Sequence, residues 1–359
     1  MDQQKSIPQL TRNILAQPDS LSGVLRRQRG EGRPALLEAA KLLRPAKRVL
    51  ITGIGASMFA SIPFEYFLCS QGIDAVVIEA AELLHYRKHA FQDAIAVVVS
   101  RSGESVEIAR LLATLKGRQP VIGVTNEPDS TLAQAADVSL CLGSLPDEMV
   151  AIQTYTGTLL TLHLLAEIIS HGPNAAGDPF EALQAALAER IAAGFERLEE
   201  WDSLLDTASP LYLLARGPSY ASALEGALLF NEIAKAPAVG LPAASFRHGP
   251  VEVVDSAFRA IIFAPEGCTR ELNLALSRDL SRFGGRIRLI GPSENENGGG
   301  GLPCSVPPMQ ETLVPLFEIV PVQWAALRMA QLRGIAAGSF RYAPQVATDE
   351  ASFASRPSP

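Results

Sequence analysis

Short runs of β-branched and other apolar residues alternate with longer amphipathic segments along most of the chain. In the first half the runs are RVLITGIG, DAVVIEA, AIAVVVS and PVIGVTN. They are separated by segments such as ASIPFEYFLCSQG and SVEIARLLATLKG, whose apolar positions recur at helical spacing. This alternation is typical of βαβ units, in which helices cover both faces of a mostly parallel sheet. The pattern therefore predicts an α/β fold.

The same pattern occurs a second time. LYLLARGPSYASAL parallels VLITGIGASMFASI, so that Ser219 falls where Ser57 does. AIIFAPEG parallels AVVVSRSG, and RIRLIGPS parallels QPVIGVTN. The offset between the two copies stays near ~165 residues, as expected for a duplicated domain rather than a short repeat. We predict an N-terminal helical leader at 1–34, a first domain at 35–172, a second at 195–340 and a C-terminal tail at 341–359.

Composition and charge exclude several classes of protein. Charged residues make up 19% of the chain and the net charge is −7, so no basic field exists to attract nucleic acid or anionic lipid. The start of the chain lacks an apolar stretch like that of a signal peptide, and no window reaches about 18 uninterrupted apolar residues. We therefore expect a cytoplasmic protein with no nucleic-acid partner and no membrane span.

The cysteines indicate neither a disulfide framework nor a metal site. They stand far apart without a CxxC pair, and each lies in apolar sequence, which predicts reduced and buried thiols and no bound metal or cofactor. The four are Cys69, Cys141, Cys268 and Cys304.

The run VVVSRSGESVEIARLL carries the clearest chemical signal. A strand that ends in small and hydroxylated residues and passes into a helix presents backbone N–H groups and the positive end of the helix dipole, which together bind anions. Ser100, Ser102 and Ser105 can donate hydrogen bonds to a phosphate, and Gly103 lets the backbone approach it. The alternative is that Ser102 only caps the helix, which serine commonly does.

Two comparisons within the sequence restrict the predicted anion site to the first copy and disfavour a dinucleotide site. The second copy has Ala264 and Glu266 where the first has Ser100 and Ser102, so only the first copy is suited to an anion. The GIGAS turn lacks the third glycine and the following acid of a dinucleotide site, which disfavours that interpretation.

The motif SRSGES, with a GxGAS turn before it and IGVTN after it, resembles the sugar isomerase (SIS) domain. The duplication resembles the two-SIS isomerase module of glutamine–fructose-6-phosphate aminotransferases, and the leader ILAQPDSLSGVL resembles the helix that opens such modules. The most specific stretch is ALEGALLFNEIAKAPAVGLPAASFRHGPVEVVD, in which LEGAL, a glutamate seven residues later and HGP fall at the family's spacing. The resemblance implies two tandem SIS domains, each a parallel sheet between layers of helices.

The resemblance also implies roles for individual residues. Glu232 matches the acid that moves a proton between C1 and C2 of the open-chain sugar. His248 matches the histidine that opens the sugar ring and reaches the active site from the neighbouring subunit, which implies a homodimer with shared sites. The backbone around Arg101 and Val150 is expected to line the sugar pocket, and the phosphate of a hexose 6-phosphate is expected at Ser57, Ser100, Ser102, Gly103 and Ser105.

The residues themselves support these two roles less strongly. Glu232 lies at helical spacing from Glu225 and is compatible with an ordinary solvated position, whereas His248 lies in a loop, where functional residues are common. A carboxylate and an imidazole can together supply the base and the acid that proton transfer beside a carbonyl needs. The remaining histidines are expected to be surface or packing residues: His85, His89, His163 and His171.

Three departures from the family bear on the reaction. The chain has no glutaminase domain, so we expect that it cannot release ammonia from glutamine by itself. Gln345 stands where the family has the lysine that forms a Schiff base with the ketose, and Leu229 replaces a second lysine one turn before Glu232. Neither an amide nor an aliphatic side chain can form an imine. The chain therefore lacks both of the amine groups that the family has at these positions.

These departures leave two functions open. The first is an enzyme that acts on an amino sugar or ketosamine 6-phosphate, as an isomerase, deaminase or deglycase, with Glu232 and His248 as acid and base. The second is a phosphosugar-binding sensor without catalysis. Arg101 can add a contact to the phosphate or to a carboxylate of the substrate; alternatively it pairs with Glu104 or Glu107.

Overall fold

The computed structural model describes residues 8–87, 89–173, 179–205, 209–291, 306–342 and 346–350. These residues form two compact units. The N-terminal unit comprises the described residues within Asp19–Gly177 and Phe340–Pro359, and the C-terminal unit those within Met1–Pro18 and Asp178–Ser339. Residues of the leader are thus divided between the units, and the described part of the tail belongs to the N-terminal unit.

The N-terminal unit is built on a five-stranded parallel sheet with strand order β2-β1-β3-β4-β5. Its central strands are buried along almost their whole length, which explains why they appear in the sequence as continuous apolar runs rather than as an alternating pattern. The strands are β1 Arg48–Gly53, β2 Asp74–Glu79, β3 Ile95–Val99, β4 Val121–Thr125 and β5 Val138–Cys141.

Helices flank this sheet, and α7 shows how they pack against it. In α7 (Val106–Leu115) the apolar side chains recur every three or four residues and pack with strand residues such as Leu50 and Val98 in one buried cluster. The other helices are α2 Gln17–Arg29, whose first two residues belong to the C-terminal unit, α3 Arg33–Leu43, α4 Ala56–Phe59, α5 Ile62–Ser70, α6 Ala80–His85, α8 Thr131–Ala135 and α9 Gln153–His171.

The C-terminal unit repeats the arrangement with a four-stranded parallel sheet of order β7-β6-β8-β9. Its strands are β6 Leu211–Ala215, β7 Ala238–Pro242, β8 Arg259–Phe263 and β9 Arg286–Ile290. Its helices are α1 Gln9–Leu15, α10 Pro179–Glu196, α11 Asp202–Leu205, α12 Tyr220–Ala234, α13 Ala243–Phe246, α14 Arg270–Arg282 and α15 Val314–Leu332. The predicted duplicated α/β fold is confirmed.

The strand order fixes where a ligand can bind. In each sheet the chain first adds a strand on one side of the first strand and then continues on the other side, so the order reverses between β1 and β3, and again between β6 and β8. Ligands of open α/β sheets bind at the carboxyl ends of the strands on either side of such a reversal. The segments that follow β1 and β3 contain Ser57 and the SRSGES motif.

Two of the described cysteines are exposed, contrary to the prediction of buried thiols. Cys69 and Cys268 are exposed and Cys141 is partly buried, so the expectation of buried thiols is wrong for the first two. Cys69 lies in the last turn of α5 beside exposed residues, and Cys268 lies in the loop after β8, where the apolar neighbours in sequence do not enclose it. Cys304 and the predicted glycine-rich loop at 295–304 lie outside the described residues.

None of the helices in the described ranges is long and apolar enough to cross a membrane.

Candidate functional site

The loop between β3 and α7 presents its serine side chains at the carboxyl end of the sheet. Ser100 Oγ accepts a hydrogen bond from the Gly103 amide at 3.1 Å, and Ser102 Oγ accepts one from the Glu104 amide at 3.3 Å. A serine hydroxyl can accept two hydrogen bonds and donate one. Because the loop uses these oxygens as acceptors, the hydroxyl protons can be donated to an anion.

The helix-cap interpretation of Ser102 is wrong. Helix α7 begins at Val106 and its N-cap residue is Ser105, whose side chain makes no capping hydrogen bond within the described residues. The Val106 amide instead donates to the Ala347 carbonyl at 3.0 Å. The chain therefore satisfies this end of the helix with backbone from its C-terminal segment and does not use the loop serines as helix caps.

Gly103 is required by the geometry of the loop for two separate reasons. Its φ of +66° lies in the left-handed region that side chains disfavour. A Cβ added there would also lie 2.3 Å from Ser130 Oγ, much closer than real contacts allow. The loop can thus close onto the segment before α8 only with glycine at this position.

We expect Gly103→Ala to destabilise the chain by about 2–4 kcal/mol, because about 1–2 kcal/mol of backbone strain adds to a steric clash. Gly117→Ala is the matched control, since Gly117 has a φ of +70° but nothing within 4 Å of its added Cβ. Urea unfolding of both variants measures the difference. Equal losses at the two positions would show that Ser130 moves aside without cost.

The turn after β1 flanks this loop. Thr52 pairs with Val98 in the parallel register, and a Cβ on Gly53 would lie 2.7 Å from the Val99 carbonyl oxygen, so the two segments leave the sheet side by side. Ser57 is half-buried in α4, immediately after this turn. The structure thus places the Ser57 turn and the SRSGES loop on either side of the strand-order reversal.

A cavity of about 250 Å³ opens at the carboxyl ends of β3, β4 and β5. Arg101 lines it and donates from Nη1 to the Met149 carbonyl at 3.3 Å, which joins the loop to the segment containing the buried Val150. Glu104 also lines the cavity, and its carboxylate accepts hydrogen bonds from the amide and the hydroxyl of Thr131 at the start of α8. The lining residues are Arg101, Ser102, Glu104, Asn126, Glu127, Pro146, Asp147, Thr154 and Val346.

Asp147 is a cavity residue that the sequence reasoning missed. Its carboxylate accepts hydrogen bonds from three backbone amides at the start of α9, at 2.9–3.1 Å, and from Thr154 Oγ1 at 2.6 Å. Burial raises the pKa of the Asp147 carboxyl, and these four hydrogen bonds oppose the rise. Asp147 lies well before Ile152, the N-cap residue of α9, so the usual signal of an acid directly before a helix could not have identified it.

The described tail residues 346–350 lie against the same loop and helix. Val346 lines the cavity, and Glu350 forms an ion pair with Arg110 on α7 and a hydrogen bond with His85. Together with the bond between Val106 and Ala347, these contacts fix the C-terminal segment beside the serine loop.

Glu232 and His248 lie in the C-terminal unit. Glu232 stands near the end of α12 and is half-buried, whereas His248 is exposed in the turn after α13, where its amide donates to the Ser245 carbonyl at 3.0 Å. Leu229 is 0% exposed, so the first missing lysine is replaced by a core side chain. Gln345 lies outside the described residues.

The other histidines are surface or packing residues, as predicted. His163 is buried in α9, where desolvation lowers its pKa to about 4 and keeps it neutral. The other three are exposed: His85, His89 and His171.

Comparison with known proteins agrees with this architecture. The family model of the SIS domain matches residues 42–168 and 204–331. A glutamine–fructose-6-phosphate aminotransferase (isomerizing) of Pyrococcus horikoshii is 29% identical over 305 residues, which cover 83% of this chain and 51% of that protein. The chain therefore spans about half the length of the curated relatives that it matches.

Two solved structures share the fold. The C-terminal domain of glucosamine-fructose-6-phosphate aminotransferase from Francisella tularensis superposes with a TM-score of 0.80 at 20% identity, covering 93% of this chain and 98% of that one. Glucosamine-6-phosphate deaminase from Thermotoga maritima gives a TM-score of 0.74 at 20% identity, with 94% and 99% covered. At these identities the superpositions speak for the fold alone.

Proposed function

Because the chain belongs to the SIS domain family, we propose that it binds a hexose 6-phosphate and catalyses an acid–base reaction at C1 and C2 of the open-chain sugar. The observation that carries the proposal is the serine loop at the strand-order reversal, whose hydroxyls are not used as caps for α7. The phosphate is assigned to Ser57, Ser100, Ser102, Gly103 and Ser105.

A phosphate suits this loop for electrostatic reasons. The ten-residue helix α7 directs the positive end of its dipole toward the loop. Hydrogen bonds to a charged oxygen are about twice as strong as those between neutral groups. The cavity lined by Arg101 and Ser102 is the volume that we assign to the sugar hydroxyls next to the phosphate, although the buried Val150 is not among its lining residues.

We assign the proton transfer to Glu232 and the ring opening to His248. Glu232 would take a proton from one of the two carbons and return it to the other, a step for which a half-buried carboxylate is suited. The buried Leu229 offers no amine to form an imine. We therefore propose a substrate that carries its own nitrogen, an amino sugar or ketosamine 6-phosphate, which makes the enzyme a deaminase, deglycase or isomerase.

The buried Leu229 also supports a second candidate, a phosphosugar sensor without turnover. Incubation of the protein with fructosamine 6-phosphates, glucosamine 6-phosphate and fructose 6-phosphate in turn separates the two. We expect conversion of at least one of these compounds. Binding without conversion across the panel would favour the sensor, and absence of binding would refute both.

We expect Ser102→Ala to weaken the binding of a sugar phosphate by about 10- to 100-fold, because it removes one hydrogen bond to a charged group worth about 1.5–3 kcal/mol. Isothermal titration calorimetry measures the change. Ser281→Ala, at an exposed position in α14, is the control and should leave the affinity unchanged. An unaltered affinity in Ser102→Ala would show that the phosphate does not bind at this loop.

We further propose a homodimer in which His248 serves the partner's site, which is compatible with its exposure. Inactive Glu232→Gln and His248→Ala chains, mixed and reassociated, should then recover roughly a quarter of wild-type activity, because half of the dimers contain one intact site. Recovery of no activity, in a mixture shown to exchange subunits, would place His248 in its own chain's site.

A further inference from the structure

The residue that ends helix α12 has an unusual backbone conformation. Lys235 has φ 51° and ψ 37°, in the left-handed region, and its amide donates to the Phe230 carbonyl. Among the described non-glycine residues it shares a positive φ only with Asp93. This conformation is unfavourable for a residue with a Cβ, and such strain persists only where surrounding contacts maintain it.

The Lys235 side chain makes those contacts. Its Nζ donates to the backbone carbonyl of Glu232 and, at 2.5 Å, to that of Ser339. As an ammonium, Nζ is a donor only and has no lone pair with which to attack a carbonyl carbon. Lys235 therefore does not restore the imine chemistry that Leu229 and Gln345 lack.

Lys235 lies close to Glu232 in the sequence, at the end of α12. Glu232 is the third residue from the end of α12, and Lys235 is the C-cap residue directly after the helix. Its Nζ reaches back to donate to the Glu232 carbonyl, one of the terminal carbonyls that the helix itself leaves without a partner. This hydrogen bond fixes the peptide from which the Glu232 side chain extends.

We propose that Lys235 is a positioning residue for Glu232. Its ammonium joins the backbone of Glu232 to that of Ser339 and so fixes the position from which the Glu232 side chain acts. This role rests on the proposed function, because it assumes that Glu232 transfers the proton. The competing explanation is that Lys235 only caps α12.

Lys235→Gly separates these explanations, because glycine adopts the left-handed conformation without strain and should keep or raise the thermal midpoint. We expect its kcat to fall by about 10- to 100-fold, as for a displaced catalytic group, with KM for the sugar phosphate changed by less than about threefold. Lys235→Arg should recover most of kcat. Lys116→Met, at the exposed C-cap of α7, is the control for loss of a lysine at a helix end.

An unchanged kcat in Lys235→Gly would overturn the role and leave only the cap. A fall in kcat that follows a fall in the thermal midpoint, or no recovery in Lys235→Arg, would also overturn it. Wild-type turnover, measured alongside the variants, distinguishes a failure of the proposed function from a failure of the role of Lys235. A wild type that converts no sugar phosphate refutes the proposed function together with this role, whereas an active wild type with unaltered variants refutes the role alone.

Discussion

Replacement of Glu232 by glutamine is expected to lower turnover by roughly 10²- to 10⁴-fold while changing the dissociation constant of the sugar phosphate by less than about threefold. Glutamine has nearly the same shape as glutamate but cannot accept the proton that moves between C1 and C2. The phosphate is assigned to the serine loop, which this substitution does not touch. Binding and turnover should therefore separate.

Steady-state kinetics and calorimetry on the same preparation test this separation. Glu252→Gln, an exposed carboxylate in the same unit, is the matched control and should retain wild-type turnover. Solvent deuterium incorporation at C1 or C2 provides a second measurement, because it reports proton transfer even when product release is slow. Deuterium exchange at the wild-type rate in Glu232→Gln would assign the proton transfer to another group.

The sequence predicted the architecture well where burial made the signal strong. The runs that became β3 and β4 are apolar throughout because helices cover both faces of the sheet. Two strands escaped the pattern. β5 is only four residues long, and β7 is half-exposed and contains Gly240 and Pro242, which disfavour strands in isolation. Their pairing with a neighbouring strand determines their conformation.

Only those parts of the candidate site that depend on neighbouring residues in the sequence could be predicted. The serine loop follows from a strand, small residues and a helix in succession. The real cap of α7 is a bond from Val106 to Ala347, which lies far along the chain, so no local pattern could exclude Ser102 as the cap. The sequence also showed that position 229 lacks an amine, but only the structure shows that Leu229 belongs to the core.

A buried acid gives the second large effect. Glu318, on α15, is 0% exposed and accepts hydrogen bonds from Ser219 Oγ at 2.9 Å and Ser222 Oγ at 2.8 Å. Desolvation raises the pKa of its carboxyl from 4.5 to about 8, and the two serine hydroxyls oppose the rise. At neutral pH the group is therefore mostly a neutral carboxylic acid, which costs far less to bury than a carboxylate.

This pKa shift makes stability depend on pH with a definite sign. Between the unfolded value of 4.5 and the folded value of about 8, the folded chain keeps a proton that the unfolded chain releases. The free energy of unfolding must then fall as pH rises through this window, by up to ~1.4 kcal/mol per pH unit, and become constant above it. The contribution of Glu318 to the free energy of unfolding is therefore fully present only below about pH 4.5.

Glu318→Gln should remove that dependence, because a neutral amide reproduces the shape and hydrogen bonding of the protonated acid. We expect the variant to match wild type near pH 5 and to exceed its stability by about 2–4 kcal/mol near pH 8. Urea unfolding at about pH 5, 6.5 and 8 measures the difference. Glu196→Gln, exposed on α10, is the control and should follow the wild-type curve. Parallel curves for wild type and Glu318→Gln would mean that Glu318 does not hold a proton in this range, so that its two serines stabilise an ionised carboxylate in the core.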